Sequence, residues 1–226
     1  FTHFSEADIA DKEWAHEQYS RFSAFIDALK GVGVTFNIHH CCNSAGTLEL
    51  PDFHRDMIRP GIIQYGYDAS KEVLVTGTKI KPVMSLRCCI THLKTIYEGD
   101  CVGYGRHFTA KGPTKIATLP IGYADGYNRA LSSKIDVIVH GVRAHQVGNI
   151  CMDQCMIDVS HIPNVKVGDE VVLFGEQGSE CVSADEIADT CHTIIHEITC
   201  NINRRVPRIY VQNGKIVQRL EYLTQS

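Results

Sequence analysis

The spacing of apolar residues changes about one third of the way along the chain, and this change limits which folds are possible. Before residue 73, apolar residues recur at helical spacing from Trp14 to Leu29 and then form short runs at Val34–His39 and Met57–Ile63. Strands that alternate with helices are typical of parallel βα units. After residue 73, short β-rich runs are separated by Gly, Asp and Pro. The sequence predicts an α/β piece, residues 1–72, followed by a mostly β domain, residues 73–226.

Local signals predict individual elements. Ser5–Asp8 has the spacing of a capping box, which predicts a first helix that begins there and ends near Gly31. Ser183–Glu186 is a full capping box and predicts a helix over Asp185–His196. The predicted strands of the second part are Val83–Ile96, Ile116–Ile121, Ile135–His140, Met156–Val159, Val171–Phe174 and a hairpin of Ile209–Gln212 with Lys215–Leu220 around Asn213-Gly214.

The composition is that of a folded, soluble protein. Of 226 residues, 44% are hydrophobic and 21% charged, and no stretch approaches the roughly 20 apolar residues of a membrane helix. The net charge of -4 argues against a nucleic-acid binder, and the absence of a polybasic cluster argues against a membrane surface. Phe1 is not an initiator methionine, and Phe1–Phe4 resembles the end of a buried strand. We therefore expect the chain to begin within a longer protein.

Ten cysteines occur, with two adjacent pairs and no C-x-x-C. This pattern, without a signal peptide or glycosylation sequon, predicts buried, reduced thiols in a cytoplasmic protein. Cys191, His192, His196 and Cys200 have spacings that could place two histidines on one helix face around zinc. However, Glu197 after His196 matches neither common zinc-protease order, so we expect no metal.

Three features of the first part have the chemistry of an anion site. Ser44 follows a predicted strand, and Gly61 and Ile62 end another, so they offer a hydroxyl and backbone N–H groups to a phosphate. The alternative for Ser44 is an ordinary turn. Arg59 lies between Ile58 and Pro60 in an apolar run. It is either a structural arginine paired with a carboxylate or a cation directed into a site.

Tyr104, in Gly103-Tyr104-Gly105-Arg106, is a phenol flanked by glycines that could present its hydroxyl for proton transfer. A phenol needs a basic neighbour to act as a base near neutral pH. The alternative is a turn tyrosine that packs. Leu119–Tyr127 and Gly148–Met156 have the pattern of strand ends that open into loops. This pattern alone does not indicate a reaction.

Together these segments resemble the C-terminal three-fifths of an alanine racemase, the pyridoxal-phosphate family of fold type III. The motifs are T-H-F-S-E-A-D, C-C-N-S-A, D-M-I-R-P-G-I-I-Q-Y-G, V-G-Y-G-R, L-P-I-G-Y-A-D-G-Y, V-G-N-I-C-M-D-Q-C-M, V-G-D-E-V-V-L-F-G and R-V-P-R-I-Y. The resemblance implies the last strands and helices of a TIM barrel followed by a β-rich C-terminal domain. It also implies interconversion of L- and D-alanine for cell-wall synthesis by two-base proton transfer.

The resemblance also implies roles for individual residues. Arg59 matches the arginine that bonds to the cofactor's pyridine nitrogen. Tyr104 matches the base that acts on the L-enantiomer from the neighbouring subunit, and His3 matches the histidine that links Arg59 to this tyrosine. A homodimer with shared active sites is implied. The remaining matches are the phosphate-holding Ser44, Gly61, Ile62 and His196, and the substrate-side Met152, Tyr123 and Asp153.

Three positions depart from the family pattern. The cofactor lysine motif K-A-N-A-Y-G-H-G is absent, so this chain alone is expected to be inactive. His196 replaces a tyrosine, which predicts tolerance of serine, and Asn149 replaces an arginine. The alternatives are a serine or broad-specificity racemase of the vancomycin-resistance type, with or without an upstream membrane segment, and a non-catalytic dimerisation or metal-binding module.

Overall fold

The computed structural model describes residues 1–72 and 80–223. The chain divides into two compact units, Phe1–Val83 and Met84–Ser226. The predicted boundary between residues 72 and 73 falls at 73–79, outside the described residues, and stays a prediction. The coarse fold class, a mixed α/β chain rich in strands, is confirmed. Among the described residues, no helix is both long and apolar enough to cross a membrane.

The first unit is built around the helix α1 (Glu13–Gly31) and the short helix α2 (Ser44–Glu49). Two 3-10 turns follow, Pro51–Phe53 and Ile62–Tyr65. The rings of Tyr19 in α1 and Phe53 stack with their centroids 3.9 Å apart. The core of this unit comprises Phe4, Ala7, Ala15, Cys41, Cys42, Ala45, Leu50 and Phe53.

The first helix begins at Glu13, so the prediction of a capping box at Ser5–Asp8 is wrong. Ser5 Oγ accepts a hydrogen bond from Trp14 Nε1 (2.8 Å), and Ser5 N donates to Gln18 Oε1 (3.1 Å). The hydroxyl that was expected to cap a helix start instead fixes this segment against the side of α1.

The strands predicted at Val34–His39 and Met57–Ile63 are also wrong. Among the described residues, one isolated parallel bridge joins Met57 to His40, the residue after the first segment, and residues 62–65 form the second 3-10 turn. Isolated backbone bonds connect Thr2 N to the carbonyl of His40 (3.3 Å) and Arg59 N to that of Cys42 (2.9 Å). A strand needs a continuous ladder, which these sparse bonds do not supply. Three extended segments therefore lie side by side without forming a regular sheet.

The second unit is β-rich, as predicted. Its strands are β1 (Leu86–Cys89), β2 (His92–Ile96), β3 (Cys101–Val102), β4 (Phe108–Thr109), β5 (Thr114–Leu119), β6 (Asp136–Val139), β7 (Val142–Val147), β8 (Cys155–Asp158), β9 (Glu170–Gln177), β10 (Glu180–Val182), β11 (Arg208–Gln212) and β12 (Lys215–Leu220). β11 and β12 pair around Asn213-Gly214, both at positive φ, which confirms the predicted hairpin. β7 was missed because its sequence, V-R-A-H-Q-V, carries three polar residues within six.

Within the described residues, the main sheet is antiparallel in the order β1-β9-β6-β7-β8-β5-β2, with β10 beside β9. β1 and β2 lie at opposite ends of this order, yet only Ile90 and Thr91 separate them in sequence. Three consecutive Cα steps span at most about 11 Å, whereas six flat strand spacings would need about 29 Å. The sheet is therefore strongly curled. Ile90 N donates to Asp169 O and Thr91 N donates to Thr118 O, both at 3.0 Å. The two residues between β1 and β2 are therefore bonded both to the residue before β9 and to β5.

The helix predicted over Asp185–His196 is two helices, α3 (Ala184–Cys191) and α4 (Ile195–Asn201). Its start is confirmed, since Ser183 Oγ accepts from Glu186 N at 3.0 Å. His192 adopts a left-handed φ of 55° and ends α3. Because His192 and His196 do not share a helix face, the alternative zinc arrangement loses its geometric basis.

All ten cysteines lie in the described residues and are unpaired. The prediction of buried thiols holds for Cys41, Cys42 and Cys155, and is wrong for Cys89, Cys181 and Cys200, which are exposed. The other four are partly buried. Burial, with the adjacent Cys41, raises the pKa of Cys42 to about 12.

Gln146 is fully buried in β7 and uses both ends of its amide. Its Oε1 accepts from Ser133 N at 2.6 Å, and its Nε2 donates to two backbone carbonyls at 3.0 and 3.1 Å. We expect Gln146→Leu to lower the free energy of unfolding by about 2–3 kcal/mol, because it leaves buried backbone groups without partners. Urea unfolding of the chain measures the change.

Gln177→Leu is the matched control, because Gln177 also accepts from a backbone amide, Gly141 N, but is partly exposed. Water can replace its bonds, so we expect a loss below about 1 kcal/mol. Equal losses in the two variants would contradict the account of Gln146.

Candidate active site

Arg59 lies where the three extended segments of the first unit meet. Its Nη2 lies 3.0 Å from Thr2 O, 3.1 Å from His3 Nδ1 and 3.2 Å from Cys41 O, and its Nη1 contacts His40 Nδ1. Among the described residues no carboxylate pairs with Arg59, so the alternative of a structural ion pair does not describe it. Its Nε also donates to no described group. The guanidinium therefore keeps donor capacity for a further acceptor.

His40 is a site residue that the sequence analysis missed, although it directly follows the polar end of the Val34–His39 run. Its ring stacks on Phe1 with centroids 5.2 Å apart. Burial and the adjacent Arg59 charge lower the pKa of His40. Its Nδ1 can accept from Arg59 only while unprotonated, so the contact favours the neutral imidazole.

Ser44 opens α2 behind Asn43, whose Oδ1 accepts from Gly46 N at 3.0 Å. Its side chain is buried, with 6% of the residue exposed, and its Oγ accepts from Gly61 N at 2.9 Å. The predicted phosphate residues are thus brought together, but the Gly61 amide bonds to Ser44. Within the described part of the chain, the Ser44 hydroxyl proton and the Ile62 N–H have no acceptor. These two groups can meet an anion.

Tyr104 lies in the turn between β3 and β4. Gly103 and Gly105 on either side have φ values of 73° and 76°, so a side chain at either position would be strained. Tyr104 is 76% exposed, so the alternative of a packed turn tyrosine does not describe it. Asn149 Nδ2 donates to Tyr104 O at 2.8 Å. The turn is fixed through its backbone, while the phenol hydroxyl bonds to no residue that the structure describes.

The two loops singled out in the sequence meet at one end of the sheet. β5 and β8 are antiparallel neighbours with Leu119 opposite Cys155, so the loop after β5 and the loop before β8 emerge together. Tyr123 N donates to Cys151 O (3.1 Å) and Ala124 N to Met152 O (3.0 Å). The structure thus brings together Tyr123 and Met152, which are 43% and 54% exposed.

Arg205 is the first residue of the motif R-V-P-R-I-Y, and the sequence alone predicted no role for its side chain. Its Nε lies 3.0 Å from Asp125 Oδ1 and its Nη2 lies 2.5 Å from Asp153 Oδ1. Asp125 belongs to the same turn as Tyr123, so this arginine connects the two loops. His196 is exposed in the first turn of α4 and has no side-chain hydrogen bond to any described residue.

Comparison with known proteins decides the family. The family model described as "Alanine racemase, N-terminal domain" matches residues 1–69, and "Alanine racemase, C-terminal domain" matches residues 83–210. The chain belongs to the alanine racemase family. The family matches include Tyr104, Tyr123 and Met152 in the C-terminal region and His3, Ser44 and Arg59 in the N-terminal region.

Individual racemases are similar over almost the whole chain. Alanine racemase 1 of Clostridium acetobutylicum is 45% identical over 99% of this chain, and the alanine racemase of Clostridium perfringens is 46% identical over 99%. The solved alanine racemase of Clostridium difficile 630 in complex with cycloserine has a TM-score of 0.92 at 41% identity and covers 99% of the chain. That of Bacillus anthracis with bound L-Ala-P has a TM-score of 0.93 at 38% identity over 98%. The chain spans 57–58% of the length of these relatives.

We expect Arg59→Met to raise the pKa of His40, because it removes a positive charge that disfavours protonation. With Arg59 present, the folded pKa lies below the ordinary value of about 6.5. The unfolded chain then binds more protons as pH falls through that value, so His40 lowers the stability of the fold on acidification. NMR titration of the imidazole protons measures both pKa values.

Arg21→Met is the control, since Arg21 lies on the exposed side of α1 and bonds to Glu17. It should leave the His40 titration unchanged. A His40 that titrates at or above its ordinary value beside Arg59 would contradict the described contact.

Proposed function

We propose that this chain, together with a lysine-bearing segment of the kind its family carries, is a pyridoxal-phosphate-dependent alanine racemase. The observation that carries the proposal is the surroundings of Arg59. Two histidines and two carbonyl groups hold its guanidinium, and among the described residues no carboxylate neutralises it and no group accepts from its Nε. An arginine in this setting suits an uncharged acceptor such as a pyridine nitrogen.

The residues present fit the cofactor. The hydroxyl of Ser44 and the N–H of Ile62 would hold its phosphate, with Gly61 keeping Ser44 in place, and Arg59 would donate to the ring nitrogen. His196 is the further phosphate contact proposed from the family pattern. When bound, pyridoxal phosphate supplies an electron sink that makes the α-hydrogen of an amino acid acidic. Because arginine does not give up its proton, Arg59 would leave the ring nitrogen unprotonated and restrain that sink.

Tyr104 is the proposed base for L-alanine. Its phenol is exposed on a turn whose backbone Asn149 holds, so it can reach a substrate without unpacking. Tyrosine accepts a proton as the phenolate, and a nearby positive charge favours that form. We assign that effect to the chain of His3 and Arg59, whose facing atoms are 3.1 Å apart, in a homodimer in which Tyr104 serves the neighbouring subunit.

Met152 and Tyr123 are assigned to the substrate side of the same pocket, and Asp153 belongs to the Met152 loop. A backbone group at Met152 would bind the substrate carboxylate, and Tyr123 would line the entrance. The bonds from Tyr123 N to Cys151 O and from Ala124 N to Met152 O support this, since they fix both residues side by side. The extended segments of the first unit would complete a TIM barrel with strands of the lysine-bearing segment, and this pairing would cover the exposed Val34, Phe36 and Ile38. We place the protein in the cytoplasm.

The test uses the chain joined to the lysine-bearing N-terminal segment of the Clostridium perfringens relative, with pyridoxal phosphate. We expect D-alanine from L-alanine in the joined protein. Tyr104→Phe should lower proton abstraction from L-alanine by at least about 100-fold, because the base is removed. Exchange of the α-proton of each enantiomer with deuterated solvent measures proton removal from the two faces of the substrate separately. The exchange rate of D-alanine should fall less than that of L-alanine.

Tyr97→Phe is the control, because Tyr97 is an exposed tyrosine of the same unit. It should keep normal turnover. Near-normal exchange of L-alanine in Tyr104→Phe would overturn the assignment of the base. A joined protein that binds the cofactor but racemises neither alanine nor serine would overturn the function.

The substrate preference depends on His196, where the family pattern has tyrosine. Histidine is shorter and would leave room beside the phosphate, which favours serine as well as alanine. In the joined protein we expect His196→Tyr to lower the serine-to-alanine ratio of kcat/KM by about tenfold. His92→Tyr, an exposed histidine in β2, should not change the ratio. An unchanged ratio in His196→Tyr would refute the hypothesis.

A further inference from the structure

Two loops of the second unit are joined through one arginine side chain. Arg205 Nε lies 3.0 Å from Asp125 Oδ1, and its Nη2 lies 2.5 Å from Asp153 Oδ1. Asp125 ends the 3-10 turn that begins at Tyr123, and Asp153 directly follows Met152. The guanidinium therefore connects the turn of Tyr123 to the loop of Met152.

The two carboxylates differ in how firmly they are held. The side chain of Asp125 is 11% exposed, and its Oδ2 accepts from Gly122 N at 2.9 Å. Its carbonyl accepts from Asn203 N at 2.9 Å, and Asn203 Oδ1 in turn accepts from Arg205 N at 3.1 Å. Arg205 and Asp125 are thus fixed to each other through both backbone and side chain.

Asp153, by contrast, has a side chain that is 55% exposed. Among the described residues, Arg205 is the hydrogen-bond partner of its carboxylate. A planar guanidinium can direct Nε and Nη2 to two different carboxylates at once, which a lysine ammonium does not do in a fixed geometry. The arginine is anchored at Asp125 and holds the exposed loop by Asp153.

We propose that Arg205 is a positioning residue that holds the Met152 loop against the Tyr123 turn, and that Asp153 serves this contact rather than the substrate. The connection to substrate rests on the proposed racemase function. The connection between the loops does not, because it concerns hydrogen bonds within this chain. The Asp153 contact supplements the two backbone bonds from Tyr123 and Ala124, and it keeps the Met152 carbonyl in the position that these bonds require.

The first experiment measures amide hydrogen exchange in the 226-residue chain. In Arg205→Gln we expect the amides of Tyr123 and Ala124 to exchange about tenfold faster, since a hydrogen bond between charged groups is lost. Asp153→Asn removes the negative charge of the same contact at an exposed position, and it should have the same local effect without endangering the fold. Arg204→Gln is the control, because Arg204 lies over the ring of Tyr222 instead.

A merely structural role gives a different pattern. It would speed exchange throughout the sheet of the second unit in Arg205→Gln and leave Asp153→Asn like the unsubstituted chain. Either result would overturn the proposal. Arg205→Lys should recover less than half of the lost protection, because the ammonium cannot reach both carboxylates in fixed directions.

The second experiment uses the joined protein. We expect Arg205→Gln and Asp153→Asn to raise the KM for L-alanine by about tenfold while kcat changes less than about threefold, since substrate placement is loosened and the base is intact. An unchanged KM in both variants would overturn the link to substrate. If the unsubstituted joined protein were inactive, the racemase function would fail while the exchange result would still decide the connection between the loops.

Discussion

The first unit depends on the guanidinium of Arg59. Its three extended segments share one parallel bridge and isolated backbone bonds, so a regular ladder does not hold them together. Arg59 bonds to the carbonyls of Thr2 and Cys41 and to His3 and His40, and in doing so it connects all three segments. Among the described residues, carbonyls and imidazole rings hold this charge and no carboxylate pairs with it, so the guanidinium keeps its positive charge and its Nε donor for a further acceptor. The same interaction therefore serves the fold and prepares the proposed cofactor contact.

The second unit brings its own candidate residues together by strand pairing. β5 and β8 are antiparallel neighbours, so the loops after one and before the other leave the sheet together, although about 30 residues separate them in sequence. Backbone bonds then align Tyr123 with Met152, and Asn149 fixes the turn of Tyr104. The side chains proposed to meet substrate stay exposed because backbone bonds and contacts from neighbouring side chains, rather than their own packing, determine their position. Reactive side chains can be exposed in this way without disturbing the packing of the core.

Sequence patterns predicted the features that depend on local chemistry. The Asn213-Gly214 hairpin, the start of α3 at Ser183 and the order of β-rich runs are of this kind. Features set by distant partners were not predictable: Ser5 bonds to Trp14 instead of capping a helix, and His192 breaks a helix that apolar spacing would continue. At the site, motifs identified Arg59, Tyr104 and Met152. His40 and Arg205 were missed as contacts because their partners, Arg59 and the two aspartates, lie far away in sequence.

The proposed role of Arg59 is to face the cofactor as a donor that does not give up its proton. The nitrogen-15 chemical shift of pyridoxal phosphate, labelled at its ring nitrogen and bound to the joined protein, tests this role. We expect the shift of an unprotonated, hydrogen-bonded pyridine, and a move toward the protonated value when Arg59 is replaced by Glu, which can share a proton with the ring. The shift of a protonated pyridinium with Arg59 in place would contradict it.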